Sequence, residues 1–369
     1  MKYNKTAIII SLLLFLGLIT ATSCNRQNKA ENQNTSTKIS NNALGIAVAE
    51  IVGGVMVVFQ DKQDNYWFGG NDKGLYKYDG KTLLLFTTKD GLYSSDILGI
   101  QEDSFGNIYL DGPTAVCKFD GQKFTSLTIA ERAKNEWKLD PRDLWFRMGW
   151  DHSGPYRYDG KLLYPLELPK SSIADEFYAI NPNASFNPYG IYSMYKDRKG
   201  HLWFGTSSLG VCRYDGKTLS WLYEKQLTET PSGGSFGIRS IIEDKAGAFW
   251  FCNTQYRYNI LPTQHTSKGT NWIDYEREAG IGTSSNAKAS FPYFMSIVEA
   301  DNGDLWMATY EMGVWRNNGK ELIHYPIKLE GKNVLLFSIY KDRQGGIWLG
   351  THQAGVYQYN GTDFEQFKI

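Results

Sequence analysis

One phrase recurs seven times along this chain, from about residue 50 to the end. Its clearest copies are Ile191–Ser220 (IYSMYKDRKGHLWFGTSSLGVCRYDGKTLS) and Leu336–Phe364 (LFSIYKDRQGGIWLGTHQAGVYQYNGTDF). The same slot holds Trp67, Tyr109, Trp145, Trp203, Trp250, Trp306 and Trp348, at separations of 42, 36, 58, 47, 56 and 42 residues. Units of this length cannot bury a core alone and must stack on their neighbours. Several short strand-like runs per unit at this period predict a β-propeller. The repeat also supplies a background: what recurs is scaffold, and what departs is a candidate for function.

Each copy parses into four strands. Strand A alternates apolar residues and ends in Asp (SMYKD, SIIED), strand B reads LWFGT, strand C reads VCRYDG, and strand D is short and rich in Thr, Leu and Phe. Alternation with β-branched and aromatic residues favours strands. Asp-Gly or Asn-Gly separates C from D at Asp79, Asp120, Asp159, Asp215, Asn318 and Asn360. Such pairs favour type I′ hairpin turns, which need positive φ at both central residues. The fifth copy lacks the pair and is expected to carry a longer loop over Leu261–Thr270. No helical period of useful length stands in the repeats. The expected fold is therefore all-β: a single seven-bladed propeller of four-stranded blades over residues 44–369, with adjacent chain ends. The last blade takes all its strands from the C-terminus, and Ala43–Val52 adds pairing or plugs an edge.

Residues 1–23 read as a lipoprotein signal peptide. Lys2 and Lys5 begin it, Ala7–Thr20 is apolar, and Ala21-Thr22-Ser23 precedes Cys24. The apolar run is short for a membrane span and fits a signal peptide. Cysteine after small residues is similar to a bacterial lipobox, with Ala21 where Leu is commoner. Cys24 is then the lipidated first residue of the mature chain, and residues 24–43, polar and poor in apolar side chains, form a flexible tether to the membrane.

The chain holds 39 basic and 39 acidic residues. This balance argues against nucleic acid, which calls for clustered positive charge. Cys117 and Cys212 fill the strand C slot taken elsewhere by Tyr76, Tyr156, Tyr256, Trp315 and Tyr357, and Cys252 fills the small slot of strand B. All three read as buried core thiols. No Cys-x-x-Cys or His-x-x-x-His spacing suggests zinc, and neither metal nor cofactor is expected.

FTTKDGLYSSDILGIQED (Phe86–Asp103) followed by GNIYLDG, and KDRKGHLWFGTSSLGVCRYDG, resemble the two-component regulator propeller repeat. The resemblance implies a periplasmic ligand-sensing propeller, a module usually found in tandem within hybrid sensor kinases. With one propeller's worth of repeats and a lipobox, this chain is expected to be a stand-alone lipoprotein member, periplasmic or on the cell surface, with no direct phosphorelay role. The Asp-x-x-Gly-x-x-Trp stretches (Asp197 to Trp203, Asp342 to Trp348) are also similar to the Asp-box of sialidase-type propellers, where the Asp bonds its own turn's backbone.

Strand alternation places the A–B and C–D turns on one face and the variable B–C and D–A connections on the other, as binding loops sit on a rigid scaffold. The long connections Pro165–Gly190, Tyr223–Gly237 and Glu276–Pro292 are expected over the mouth of the channel. The second and third repeats depart furthest: Asp111 and Arg147 occupy the Gly/Ala slot of strand B, free to pair with each other or to form a polar floor. Trp150, Asp151, His152, Tyr310, Glu311 and His352 complete the candidate ligand-binding set on the B–C loops, and the aromatics Phe177, Tyr178, Phe186 and Tyr189 of the first insertion are placed to stack on sugars. The favoured function is non-enzymatic binding of a small molecule or glycan. The alternatives are a lyase or glycosidase using His152, Asp151, Glu311 or His352, and a scaffold for an envelope protein partner. Glycoside hydrolysis usually needs two facing carboxylates, and no residue is assigned a catalytic role.

Overall fold

The structure is a computed structural model, and it describes residues 44–131, 134–228, 237–252, 254–281 and 294–369. Residues 1–23, Cys24 and the whole tether to residue 43 lie outside the described residues. The second, sixth and seventh repeats each form a four-stranded antiparallel meander. The seventh, Leu336–Lys341, Ile347–Thr351, Val356–Tyr359 and Phe364–Gln366, takes every strand from the C-terminus. The first gains an outer fifth strand, Ile46–Val48, which pairs with Leu83–Phe86, so the segment before the repeats does add pairing. The fourth and fifth join into one eight-stranded sheet.

Two expectations need correction there. Leu261–Thr270 is not a loop. It belongs to a long hairpin, Tyr256–Ser267 with Thr270–Ala279, closed at Lys268-Gly269 with φ of 50° and 73°. Both central residues have positive φ, as a type I′ turn requires. The hairpin crosses to the outer edge of the fourth repeat, where Trp272 pairs with Trp221, and so covers an edge that would otherwise be free to pair. The six Asp-Gly and Asn-Gly turns work differently. Gly80 has φ 90°, but Asp79 does not share it. Instead the Asp79 carboxylate accepts from the amides of Lys81 and Thr82, an Asx-turn that needs only the glycine to be left-handed.

The Asp at the end of strand A fixes the turn and the aromatic anchor together. Asp197 Oδ1 accepts from the amides of Lys199 and His201, and Oδ2 accepts from Trp203 Nε1 at 2.9 Å. Asp61 with Trp67, Asp244 with Trp250 and Asp342 with Trp348 repeat the indole bond. Every anchor is buried, Trp203 at 1% exposure and Trp348 at 2%. Cys117, Cys212 and Cys252 are buried free thiols.

A second device links neighbouring repeats on the same face. The residue after that Asp donates its side chain to a carbonyl of the next turn: Lys62 to Asp103, Arg198 to Asp244, Lys245 to Ala300 and Arg343 to Asp61. Its amide meanwhile donates to Glu102, Glu243, Glu299 or Gln60 of that same neighbour. Between the sixth and seventh repeats the charges are exchanged, and Lys341 Nζ pairs with Asp301 at 2.7 Å. The link from Arg343 joins the seventh repeat to the first.

The A strands lie side by side in the same order, fourth with fifth, fifth with sixth, sixth with seventh, seventh with first and first with second. The third repeat breaks the series. It has three strands rather than four, Leu144–Phe146, Tyr156–Tyr158 and Leu163–Pro165, and no strand A precedes Leu144 among the described residues. The incoming chain instead bridges to the outer strand at Ile129↔Leu163, and Trp137 then packs on Trp145, Phe204 and Tyr214. The inner edge of this repeat faces a cavity.

The Pro165–Gly190 connection contains a helix that the sequence reading lacked, α1 (Ser172–Ile180), capped by Ser171 Oγ accepting from the Ile173 amide. Its Ala174 is buried in the cluster of Trp145, Cys212 and Trp221, and the Ser172 amide donates to Thr270 Oγ1. The helix thus lies on the outer strand of the fourth repeat and the tip of the long hairpin, not over the mouth. Much of Glu276–Pro292 and Tyr223–Gly237 falls outside the described residues.

Candidate functional site

The A strands surround a cavity of about 630 Å³. Six of its lining residues occupy one repeated position, five before the end of strand A: Met56, Leu98, Tyr192, Arg239, Met295 and Phe337. At Met56, Tyr192 and Phe337 the strand register slips by one residue, so each is a β-bulge residue left out of the ladder. A bulge re-aims the side chain it carries, and bulges gather at functional sites. The following position is small in the second, fourth, sixth and seventh repeats (Gly99, Ser193, Ser296, Ser338), which leaves those ring residues room, and is Val57 in the first.

The third repeat contributes to this cavity through Arg147 instead of a strand. In the first, fourth, sixth and seventh repeats the slot two residues after the aromatic anchor is glycine or alanine. A Cβ on Gly205 would lie 2.4 Å from Ser193 Oγ and 2.5 Å from the Ile238 carbonyl. One obstacle lies on strand A of the same repeat and the other on the segment leading into strand A of the next. The third repeat lacks strand A, so Arg147 loses the obstacle of its own repeat and Asp111 loses the obstacle of the next one. Arg147 can then extend inward, and Asp111 of the second repeat can fill the space towards the third.

The two charges do not bond each other through their side chains. Asp111, 3% exposed, accepts from the amides of Arg147 and Met148, both at 3.0 Å. The Arg147 guanidinium donates to the Leu98 carbonyl at 2.6 Å and the Tyr192 carbonyl at 2.8 Å, spanning the gap between the second and fourth repeats. Gln101 Nε2 adds a bond to the Trp145 carbonyl on the orphaned edge. These side chains satisfy part of what a strand A ladder would have satisfied. Burial pushes the Asp111 carboxyl up, against the pull of the Arg147 charge and the two amides. Burial likewise pushes the Arg147 guanidinium down, opposed by Asp111.

Of the candidates read from the sequence, Asp111, Arg147 and Trp150 meet at this cavity. Arg147 lies 5.7 Å over the Trp150 ring. The others sit apart. Asp151 and Glu311 are exposed. His152 Nδ1 bonds the Gly154 carbonyl and its ring packs on Tyr156. Tyr310 is half-buried, its carbonyl accepting from the Leu336 amide. His352 stacks behind the lining Phe337 at 4.8 Å. In the insertion, Phe177 and Tyr189 pack on the core cluster, while Tyr178 and Phe186 are exposed. The sequence reading missed the strand A ring. Its signal was present: the ring position reads Met, Leu, Tyr, Arg, Met and Phe between otherwise similar residues.

Among the described residues no cluster of His, Cys, Asp or Glu is placed to hold a metal, and no helix is long and apolar enough to cross a membrane. Stretches 185–208 and 328–353 match the family model "Two component regulator propeller". No curated protein matches the sequence. The fold is similar to the extracellular domain of the putative one component system BT4673 from B. thetaiotaomicron, at TM-score 0.56 and 18% identity. That match covers 85% of this chain but 40% of the other, so this chain spans well under half of that structure. It is also similar to virginiamycin B lyase from Staphylococcus aureus (TM-score 0.53, 12% identity, 85% and 98% covered). A third similar structure is PorZ, a surface component of the type-IX secretion system of Porphyromonas gingivalis (TM-score 0.52, 16% identity, 85% and 48% covered). These likenesses establish a propeller-type fold.

Proposed function

We propose that this chain, which carries two component regulator propeller repeats, is a lipid-anchored, non-enzymatic binding protein of the bacterial cell envelope. In this reading residues 1–23 are the signal peptide, Cys24 carries lipid, residues 24–43 are the tether, and residues 44–369 form one seven-bladed propeller. The ligand is a small molecule or glycan. One observation carries the reading: the central cavity is walled by a position that changes in character from repeat to repeat (Met, Leu, Tyr, Arg, Met, Phe), while the aromatic anchor of strand B recurs. A preformed concavity with aromatic walls and a few convergent polar groups is the usual form of a binding site. Likeness to an extracellular sensor domain supports the same reading and the envelope location.

A thermal-shift screen of the chain against glycans and metabolites tests it, since a ligand of the folded state must raise its stability. A ligand whose affinity survives both Arg147→Ala and Trp150→Ala, with the fold intact by circular dichroism, would place binding elsewhere. Anchoring is tested separately. Cys24→Ser should give an unprocessed or soluble form, and mature-sized protein in the membrane fraction would refute lipidation at that residue. Likeness to a lyase supplies a fold, which does not bring chemistry with it.

A further inference from the structure

The cavity ring is electrically lopsided. Arg147, Tyr192 and Arg239 adjoin on one side: Arg239 lies 4.6 Å over the Tyr192 ring, and Arg147 bonds the Tyr192 carbonyl. Met56, Met295 and Phe337 complete the ring as an apolar wall. The other titratable groups lining the cavity are Asp111, Asp143, Tyr195 and Lys196. Asp143 is spent on Arg157 at 2.7 Å, in a pair less than a tenth exposed. Asp111 turns both oxygens to backbone amides. Arg147 donates to two carbonyls, which satisfy its hydrogens without cancelling its charge. Two arginines therefore line one cavity, and the Arg239 charge adds to burial in disfavouring the charge on Arg147. Like charges in a partly desolvated space cost free energy that an incoming anion would offset. Two further polar atoms of lining residues, Trp150 Nε1 and Ser338 Oγ, have no hydrogen-bond partner, and buried polar atoms rarely stay so.

Resting on the binding reading above, we propose that the cavity selects a small organic anion with an apolar body. The negative group is seated at Arg147 and Arg239, and the body lies against Met56, Met295 and Phe337. Guanidinium recognises a carboxylate by charge-assisted hydrogen bonds, the stronger kind. The methionines adapt to the body's shape, since a thioether chain fills irregular space without a fixed partner. The selectivity is thus for charge and amphipathic form, and it comes from the A strands rather than from the loops.

A matched pair of probes tests this in the full chain by calorimetric titration. Indole-3-acetate and indole-3-ethanol share a body and differ in charge. The acid should bind about tenfold or more tightly than the alcohol, the factor expected for a hydrogen bond to a charged group. Arg239→Gln should erase most of that ratio, weakening the acid and leaving the alcohol alone. Arg239→Lys keeps the charge and should retain selectivity for the acid, which separates loss of charge from loss of fold. Inorganic phosphate, an anion without an apolar body, should bind more weakly than the acid. Equal binding of acid and alcohol, or a ratio unchanged in Arg239→Gln, overturns the charge selection while leaving the cavity as a binding site. Absence of binding by both probes, with a ligand from the wider screen insensitive to Arg147→Ala and Trp150→Ala, overturns both readings.

Discussion

The fourth and third repeats stand side by side and close their inner edges by different means. The fourth has its own strand A, Ile191–Lys196, and a glycine at residue 205 to accommodate it. The third has no such strand, and Arg147, Gln101 and Asp111 make the missing bonds with side chains. The difference shows that a departure from a repeat has a first cause in packing. Asp111 and Arg147 stand where glycine is usual because the strand that demanded glycine is gone. Any ligand role of Arg147 builds on that opening.

The largest effect should separate the two repeats by their anchors. Trp203 is 1% exposed and its indole is held by Asp197. Truncating it removes buried area and one of the two contacts to Asp197 Oδ2, the other coming from His201 Nδ1. Trp203→Ala should cost about 3–5 kcal/mol by denaturant unfolding. Trp145 occupies the same slot, but Leu139 stands where the Asp would be. Trp145→Ala should cost less, and a near-native melting temperature for Trp203→Ala would mean the slot is not a packing anchor at all.

A smaller effect tests the slot itself. Gly205→Ala places a methyl group against Ser193 Oγ and the Ile238 carbonyl, and overpacking of this kind costs about 1–3 kcal/mol. Arg147→Gly makes the opposite exchange in the third repeat. It gives up two bonds to carbonyls that border a cavity, which water can replace, at about 1 kcal/mol. If Gly205→Ala is harmless while Arg147→Gly unfolds the protein, the slot is not governed by strand A.

Much of this was legible in the sequence, and the parts that were not share a cause. The anchors Trp67 to Trp348, the Asp-to-amide turns and the C-terminal completion of the seventh repeat follow from local spacing, because each bond closes within a few residues. The missing strand of the third repeat could not be read that way. LWFRMG keeps the strand B phrase intact, and what was lost lies upstream, in a segment with a Trp and a Leu that still look strand-like. The Leu261–Thr270 hairpin was obscured by Pro262 and by a turn, Lys268-Gly269, outside the Asp-Gly pattern. The binding candidates were sought on loops, where variation is easiest to see. The cavity instead draws on bulged residues inside regular strands, and a bulge is a property of pairing that one strand's sequence does not display. Asp111, Arg147 and Trp150 were found because they break the pattern; Tyr192 and Arg239 sit inside it.

The finest comparison sets two carboxylates of one repeat against each other. Asp103 and Asp111 lie at opposite ends of the second repeat's inner hairpin, and their surroundings move them in opposite directions from the same ordinary value of 3.8. Burial would raise Asp103, but the Asn107 side chain, the Asn107 and Phe105 amides and the Tyr109 hydroxyl outweigh it and hold it low. At Asp111 burial prevails over the Arg147 charge and two amides, and the carboxyl is raised. A depressed group adds stability that is present above its unfolded value and is lost as pH falls through its folded one. A raised group adds stability that is present below its unfolded value and is lost as pH rises through its folded one. Stability measured from acid to neutral pH should therefore separate Asp103→Asn from Asp111→Asn. The gap between wild type and Asp103→Asn should widen with rising pH across the range below 3.8, whereas the gap for Asp111→Asn should narrow with rising pH above it. Parallel profiles would show that the gap in the third repeat leaves Asp111 as well solvated as an ordinary turn carboxylate, and that the space beside it is open to water rather than sealed by Arg147.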